Sequence, residues 1–196
     1  MIDLVVASSN PHKIRELSKL LEKLPVRLHS LTEYKDLPEI IEDGKSFEEN
    51  AGKKAKIIHN HLKLSVLADD SGLEVPALNN EPGVYSARYA GKNSSDKQNN
   101  ELLLQKMKYL TGEQRKARFV CTLCFIRRDT EIFFNGYSEG LILEEFRGDN
   151  GFGYDPLFYV PSLDRTYAEL SDDEKSAISH RGKAMTEFKN YLVKLI

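Results

Sequence analysis

A short apolar run, Ile2-Asp3-Leu4-Val5-Val6-Ala7, gives way almost at once to Asn10-Pro11 and then to Ile14, Leu17, Leu20, Leu21 and Leu24. The run reads as a buried strand. Asn suits a helix N-cap and Pro the first helical position, so the chain turns directly into a helix. The leucines keep helical spacing until Pro25 ends the pattern. A strand feeding straight into an amphipathic helix is the opening unit of an α/β arrangement.

The same alternation continues. Val26 to Leu31 is predicted to be a second strand. Ser46-Phe-Glu-Glu49 is a capping box, and the helix behind it carries Phe47, Ala51, Ala55 and Ile58 on one side. Leu64 to Ala68 reads as a strand stopped by Asp69-Asp70-Ser71-Gly72. The region 79–99 is rich in Asn, Ser and Gly and reads mostly as loop. Leu102, Leu103, Met107 and Leu110 mark another helix. Strands near 117–126 and 131–143 are consecutive and suit an antiparallel pair. A glycine-punctuated loop, Gly148 to Pro156, precedes a second capping box, Ser171-Asp-Asp-Glu174. The final helix carries Ala184, Phe188, Tyr191, Leu192 and Leu195. There is no internal repeat and no low-complexity linker. Alternating strands and helices with a strand-rich middle predict an α/β fold around a mixed sheet. We expect a single domain over residues 1–196, built as one core or as two small lobes sharing a cleft.

Composition narrows the function. A formal net charge of -2 gives no global attraction to nucleic acid or to an anionic membrane, so any anion site must be local. No apolar run approaches the roughly 20 residues that span a bilayer. The N-terminus shows neither a basic segment nor a cleavable apolar one, which leads us to expect a cytoplasmic protein. Cys121 and Cys124 have the spacing of a redox or zinc pair, but they fall in a predicted buried strand, where residues three apart point to opposite faces. No second pair completes a zinc site, so we read both as core-filling.

Five segments carry chemistry. Ser8-Ser9-Asn10-Pro11-His12-Lys13 places hydroxyls, backbone N–H groups and a lysine at a helix start, where they converge on an anion. Lysine there opposes the helix dipole and needs a compensating partner, which a phosphate would supply. Asp69-Asp70-Ser71-Gly72 sets adjacent carboxylates at the end of an apolar strand, which is costly unless a cation is near. Adjacent strand residues face opposite sides, so one Asp faces the site and the other braces the chain. Magnesium binds through one or two carboxylates plus substrate phosphates. Glu42 in Glu42-Asp43-Gly44 adds a further carboxylate, and Asn50 and Lys54 share a helix face. Gly151-Phe152-Gly153-Tyr154-Asp155-Pro156 presents a ring on a tight turn beside a carboxylate, which suits stacking a base and accepting its N–H. Finally Lys175, His180 and Arg181 gather donors with almost no acceptors where they are expected to open the last helix.

Taken in series, these segments resemble the inosine triphosphate pyrophosphatase family. The likeness runs through Ser8-x-Asn10-x-x-Lys13, Glu42-x-Gly44-x-Ser46-Phe47-x-x-Asn50-Ala51-x-x-Lys54-Ala55, Ala68-Asp69-Asp70-Ser71-Gly72-Leu73, Pro82-Gly83-Val84-Tyr85-Ser86-Ala87-Arg88-Tyr89, Gly151-Phe152-Gly153-Tyr154-Asp155-Pro156 and Glu174-Lys175-Ser176-Ala177-Ile178-Ser179-His180-Arg181-Gly182. The resemblance implies two lobes around a long mixed sheet flanked by helices, an active-site cleft and a homodimer. It further implies Mg2+ dependence and hydrolysis of non-standard purine nucleoside triphosphates to monophosphate and pyrophosphate. Residue by residue it implies Glu42 and Asp70 for the metal, and Asp70, rather than Asp69, for activating water. Ser8, Asn10, Lys13, Lys54 and Ser71 fall to the phosphates. Phe152, Gly153, Tyr154, Asp155, Lys175, His180 and Arg181 fall to the base. Asp149-Asn150 and Gly52-Lys53 depart from the family pattern, and altered loop shape or stability is expected there. Two other classes fit parts of this set: a non-catalytic nucleotide-binding or sensor protein, and a phosphotransferase with a second substrate.

Overall fold

We describe residues 1–8 and 10–195 of a computed structural model of the protein, without the side chains of Pro11 and His12. Ser9 of the first predicted site segment therefore lies outside the described residues.

The chain folds as two compact units. One comprises residues 1–70, 121–136 and 183–196, and the other residues 71–120 and 137–182. The strands form a mixed sheet. β1 (Ile2–Ala7) pairs in parallel with both β2 (Val26–Ser30) and β3 (Ser65–Val75). β4 (Glu81–Pro82) adds antiparallel to β3. β5 (Lys116–Arg127) and β6 (Thr130–Ile142) are joined by a two-residue turn, which only an antiparallel pair permits. β7 (Phe158–Val160) and β8 (Arg165–Thr166) continue the sheet antiparallel, in the order β2-β1-β3-β5-β6-β7-β8. This is the expected α/β fold with a central mixed sheet and flanking helices.

Side-chain alternation explains the first unit. Even-numbered β1 residues Ile2, Leu4 and Val6 pack with Leu67 of β3 against α1 (Pro11–Leu21) and α5 (His180–Leu195). Val5, Ala7, Val66 and Ala68 pack instead against Ala51, Ala55 and Ile58 of α2 (Phe47–Leu62). The two-residue period thus assigns each strand residue to one helical layer. Cys121 joins the α1 side and Cys124 the α2 side, both buried, as core-filling residues on opposite faces. The second unit has its own core, in which Leu103 and Met107 meet Phe119, Tyr154, Phe158 and Tyr167.

Several boundaries differ from the sequence expectation. β3 does not stop at Ala68 but runs through Asp69-Asp70-Ser71-Gly72 to Val75, so the carboxylates stand on a continuous strand rather than a turn. Sheet pairing overrides the turn preference of Asp, Ser and Gly. The region 79–99 contains β4, a 3-10 helix at Gly83–Arg88 and the start of α3 (Asp96–Lys106), which is capped by a Ser95–Gln98 box. At Ser46 only half the predicted capping box forms. The Ser46 hydroxyl accepts the Glu49 N–H at 3.1 Å, but the Glu49 carboxylate takes the Lys45 N–H at 2.6 Å instead. The departing Gly52 faces β6. A Cβ there would lie 3.2 Å from Glu131 Oε1 and 3.3 Å from the Phe133 ring, closer than such contacts ordinarily come. Asn150, the other departure, anchors its loop by donating from N to the Ala168 carbonyl and from Nδ2 to the Leu170 carbonyl.

Candidate active site

Within the first unit, the start of α1 is built as expected. Asn10 Oδ1 accepts the Lys13 N–H at 3.4 Å, and the Ser8 hydroxyl accepts the Asn10 N–H at 3.2 Å. Lysine in a first turn faces the positive end of the helix dipole. Its compensating partner is Asp69, whose two oxygens lie 2.9 and 2.7 Å from Lys13 Nζ.

The other side of β3 meets α2. Asn50 and Lys54, one helical turn apart, are both buried and point to the carboxylates. Asn50 Nδ2 donates to Asp70 Oδ2 at 3.0 Å while its Oδ1 accepts the Gly44 N–H at 2.8 Å. Lys54 Nζ reaches Glu42 Oε1 at 2.7 Å and donates to the Asp69 carbonyl at 3.0 Å. Asn50 therefore ties the Glu42-Asp43-Gly44 segment to the carboxylate strand, a role its sequence spacing alone did not reveal.

Glu42, Asp69 and Asp70 outnumber Lys13 and Lys54. Burial pushes the Asp70 carboxyl up from 3.8 to about 6. The neighbouring Glu42 and Asp69 charges add to the rise, while Asn50's hydrogen bond and Lys54 oppose it. Burial works against the Lys54 ammonium, but Asp69 and Glu42 outweigh it and hold its pKa above the ordinary lysine value. Among the described residues, no cluster of three or more His, Cys, Asp or Glu forms a complete cation cage. Glu42 and Asp70 still suit a hard divalent ion, because magnesium takes only one or two carboxylates and completes its shell with phosphate oxygens and water.

The second unit holds the remaining residues. Asp155 is 2% exposed, and its Oδ2 accepts from Phe152 N–H at 2.8 Å and Lys175 Nζ at 2.5 Å. Burial raises the Asp155 carboxyl; Lys175 and the Phe152 hydrogen bond oppose the shift. Lys175 Nζ sits 4.6 Å from the Phe152 ring centroid, and the Arg181 guanidinium carbon 5.6 Å from it. Phe152 is thus bordered by cations, an arrangement in which ring quadrupole and charge attract. Arg181 also donates to the Ser71 hydroxyl at 2.9 Å, so Ser71, expected among the phosphate ligands, stands beside a residue expected to read the base, within its unit. Tyr154 and His180 are set into the core. The Tyr154 hydroxyl donates to the Ser86 carbonyl at 2.8 Å, and the His180 ring stacks on Phe119 at 4.6 Å with a 9° interplanar angle.

Lys175 and the His180-Arg181 pair do not open one helix together, as the sequence suggested. α4 (Asp172–Ile178), with the predicted Ser171–Glu174 capping box, carries Lys175. Ser179 is extended and caps the next helix: its hydroxyl accepts the Gly182 N–H at 3.1 Å, and α5 starts at His180. Gly182 permits this junction, because a Cβ there would fall 1.8 Å from the Ser176 carbonyl oxygen.

A family model described as the Ham1 family matches residues 4–191. The chain belongs to the Ham1 family. It is 46% identical over 195 residues to the dITP/XTP pyrophosphatase of Clostridium perfringens, covering 96% of each chain. It is 48% identical to the protein of the same name from Geobacter sulfurreducens, covering 98% of this chain and 97% of that one. Among solved structures, a HAM1 protein from Coxiella burnetii superposes with a TM-score of 0.94 at 42% identity, covering 99% of this chain and 100% of that one. The Staphylococcus aureus Ham1 protein superposes with a TM-score of 0.91 at the same identity, again covering 99% and 100%.

Proposed function

We propose that this Ham1-family protein hydrolyses non-standard purine nucleoside triphosphates, dITP, ITP and XTP, to the nucleoside monophosphate and pyrophosphate. The observation that carries this reading is the meeting of Lys13, Lys54 and Glu42 with the adjacent carboxylates Asp69 and Asp70 in the first unit. Phosphoryl transfer needs positioning and charge neutralisation more than covalent chemistry. Lys13 pairs with Asp69 and Lys54 with Glu42, and these carboxylates can exchange part of their pairing for a triphosphate. Ser8, Asn10 and Ser71 add hydroxyl and amide groups to the phosphate ligands.

Asp70 is the group suited to take a proton from water. A carboxyl at about 6 is a stronger base than an ordinary Asp, while Asp69 is committed to Lys13 through both oxygens. The water oxygen bonds to phosphorus at the α–β anhydride, the bridging P–O bond breaks, and pyrophosphate leaves. Glu42 and Asp70 would hold Mg2+, which when bound neutralises charge on the phosphate oxygens.

At the other end of the substrate, Phe152 stacks on the purine. Lys175 and Arg181 donate to the oxygen at position six. Tyr154, Asp155 and His180 hold this surface through the contacts described above, and Gly153, in the left-handed region at φ 63°, lets the chain turn beside Phe152. We also read the protein as cytoplasmic; among the described residues no helix is long and apolar enough to cross a membrane. We further read it as a homodimer that acts without nucleic acid.

Pyrophosphate release measured with inosine, xanthosine, guanosine and adenosine triphosphates, with magnesium and after exhaustive chelation, tests this reading. We expect the first two to be favoured and all turnover to need the metal. Equal turnover of all four, or full activity without metal, would refute it. Sedimentation velocity checks the dimer.

A further inference from the structure

The loop that carries Phe152 is held from a helix that no sequence motif singled out. Asp96 is the first residue of α3 and Asn100 stands one turn later, so both side chains project from the same helix face. Asp96 Oδ2 accepts the Gly153 N–H at 2.7 Å, and Asn100 Nδ2 donates to the Gly153 carbonyl at 2.8 Å. Asn100 Nδ2 also donates to the Asp96 carbonyl at 2.9 Å. Both of its partners are carbonyl oxygens, so the amide nitrogen, and not the oxygen, must face them. The two polar groups of Gly153 are thus clamped by one helical turn.

The position of this clamp matters. The peptide before Phe152 is fixed where its N–H meets Asp155 Oδ2 at 2.8 Å. The peptide after Phe152 is fixed where the Gly153 N–H meets Asp96. Fixing the planes on both sides of one residue fixes its φ and ψ, and with them the direction of its Cα–Cβ bond. A glycine at 153, in the left-handed region at φ 63°, has no side chain of its own to hold that geometry. The clamp supplies what the glycine lacks.

We propose that Asp96 and Asn100 are positioning residues that aim the Phe152 ring at the nucleobase. This rests on the reading of Phe152 as the base platform. Neither side chain needs to touch the substrate. Their loss loosens the platform, so it weakens nucleotides that carry a base and spares ligands that do not.

The test is steady-state hydrolysis of inosine triphosphate by Asp96→Ala, Asp96→Asn, Asn100→Asp, Phe152→Ala and the double variant Asp96→Ala/Phe152→Ala. Inorganic tripolyphosphate serves as a base-free competitive inhibitor. Asp96→Ala is expected to raise KM about tenfold with a smaller change in kcat. Asp96→Asn retains an acceptor and should restore most of that loss. Asn100→Asp keeps the side-chain shape but sets an oxygen against the Gly153 carbonyl, so it should behave like Asp96→Ala. Inhibition by tripolyphosphate should stay unchanged in all three. In the Phe152→Ala background, Asp96→Ala should add nothing further, because the group it aims is gone. The proposal is overturned if Asp96→Ala and Asn100→Asp leave KM unchanged, if tripolyphosphate binding weakens in step with the nucleotide, or if the Asp96 and Phe152 effects add. If Phe152→Ala itself leaves KM unchanged, the platform reading falls and takes the clamp with it. If Phe152→Ala raises KM but the clamp variants do not, only the clamp falls.

Discussion

In the first unit the side chains proposed to act on the phosphates, and Asn50 beside them, stand on regular elements, Asp69 and Asp70 on β3, Lys13 on α1, Asn50 and Lys54 on α2. In the second unit Phe152 and Asp155 hang from a glycine-rich loop, while Lys175, His180 and Arg181 flank a helix junction. The first set is electrically crowded, with carboxylates in excess and an Asp70 carboxyl driven up by burial. The second is held by a buried ion pair and by side chains bonded to the loop backbone. The contrast teaches that side chains proposed to handle charge can be crowded together on a rigid strand, whereas a ring proposed to read shape needs its loop held by hydrogen bonds. Activity and stability should therefore separate in the first unit and travel together in the second.

The largest effect belongs to Asp70. Replacing it by Asn should cut kcat by at least about a hundredfold, the scale of a lost general base. Thermal stability should not fall. A carboxyl raised from 3.8 to about 6 contributes stability only while protonated, and that contribution is lost as pH rises through 6. At pH 7.5 the neutral amide avoids the buried charge and can still accept from Asn50. Calorimetry beside turnover measures both; a lower melting temperature would break the contrast from this side.

Asp155→Ala should do the opposite and destabilise the fold. It strands the Lys175 ammonium, 6% exposed, and removes the anchor of the Phe152 N–H. Breaking a buried pair from one side costs on the order of 3–5 kcal/mol. Chemical denaturation of Asp155→Ala against the double variant Asp155→Asn/Lys175→Met should show the double to be milder. Equal stability of wild type and Asp155→Ala would erase the distinction.

A third comparison divides the substrate between the two regions. Arg181→Ala should reduce the ratio of kcat/KM for inosine over adenosine triphosphate by roughly 10- to 100-fold, the scale of one unpaired buried group. Lys13→Ala and Lys54→Ala should weaken both nucleotides alike and leave the ratio alone. Ratios that respond to the lysines, or ignore Arg181, would reassign the two ends.

The smallest effect lies outside both sites and serves as a reference for what surface charge does here. His29 lies 2.9 Å from Asp3 Oδ1 and 3.0 Å from Glu33 Oε2 through its two ring nitrogens, and these hydrogen bonds raise its pKa above 6.5. The stability it adds is complete below pH 6.5 and is lost as pH climbs through the raised value. His29→Gln should flatten the melting temperature in that window by a small amount and leave turnover untouched. An unchanged pH dependence would remove the ion pairs from the account.

Much of the molecule was already legible in local pattern. A short apolar run placed β1, helical spacing placed α1 and α2, and the Ser171 box placed α4. The donor-rich and carboxylate-rich segments also declared their chemistry, because residue type alone restricts what a Lys, an Asp or a Gly-Phe-Gly turn can do. Sheet pairing decided what local preference got wrong: it carried β3 through Asp69-Asp70-Ser71-Gly72, which as an isolated tetrapeptide prefers a turn. Long-range packing decided the partners. Lys13 finds Asp69 across 56 positions, and Gly153 finds Asn100 across 53. Nothing in the spacing of either pair announces such contacts, since a hydrogen bond between distant segments exists only after the strands and helices that carry them have packed. The sequence by itself thus determined the elements, the family resemblance and the inventory of reactive groups. Only the tertiary structure decided which carboxylate faces which helix, why Gly182 must lie beneath the Ser176 carbonyl, and that α3, silent in every motif, holds the loop on which Phe152 stands.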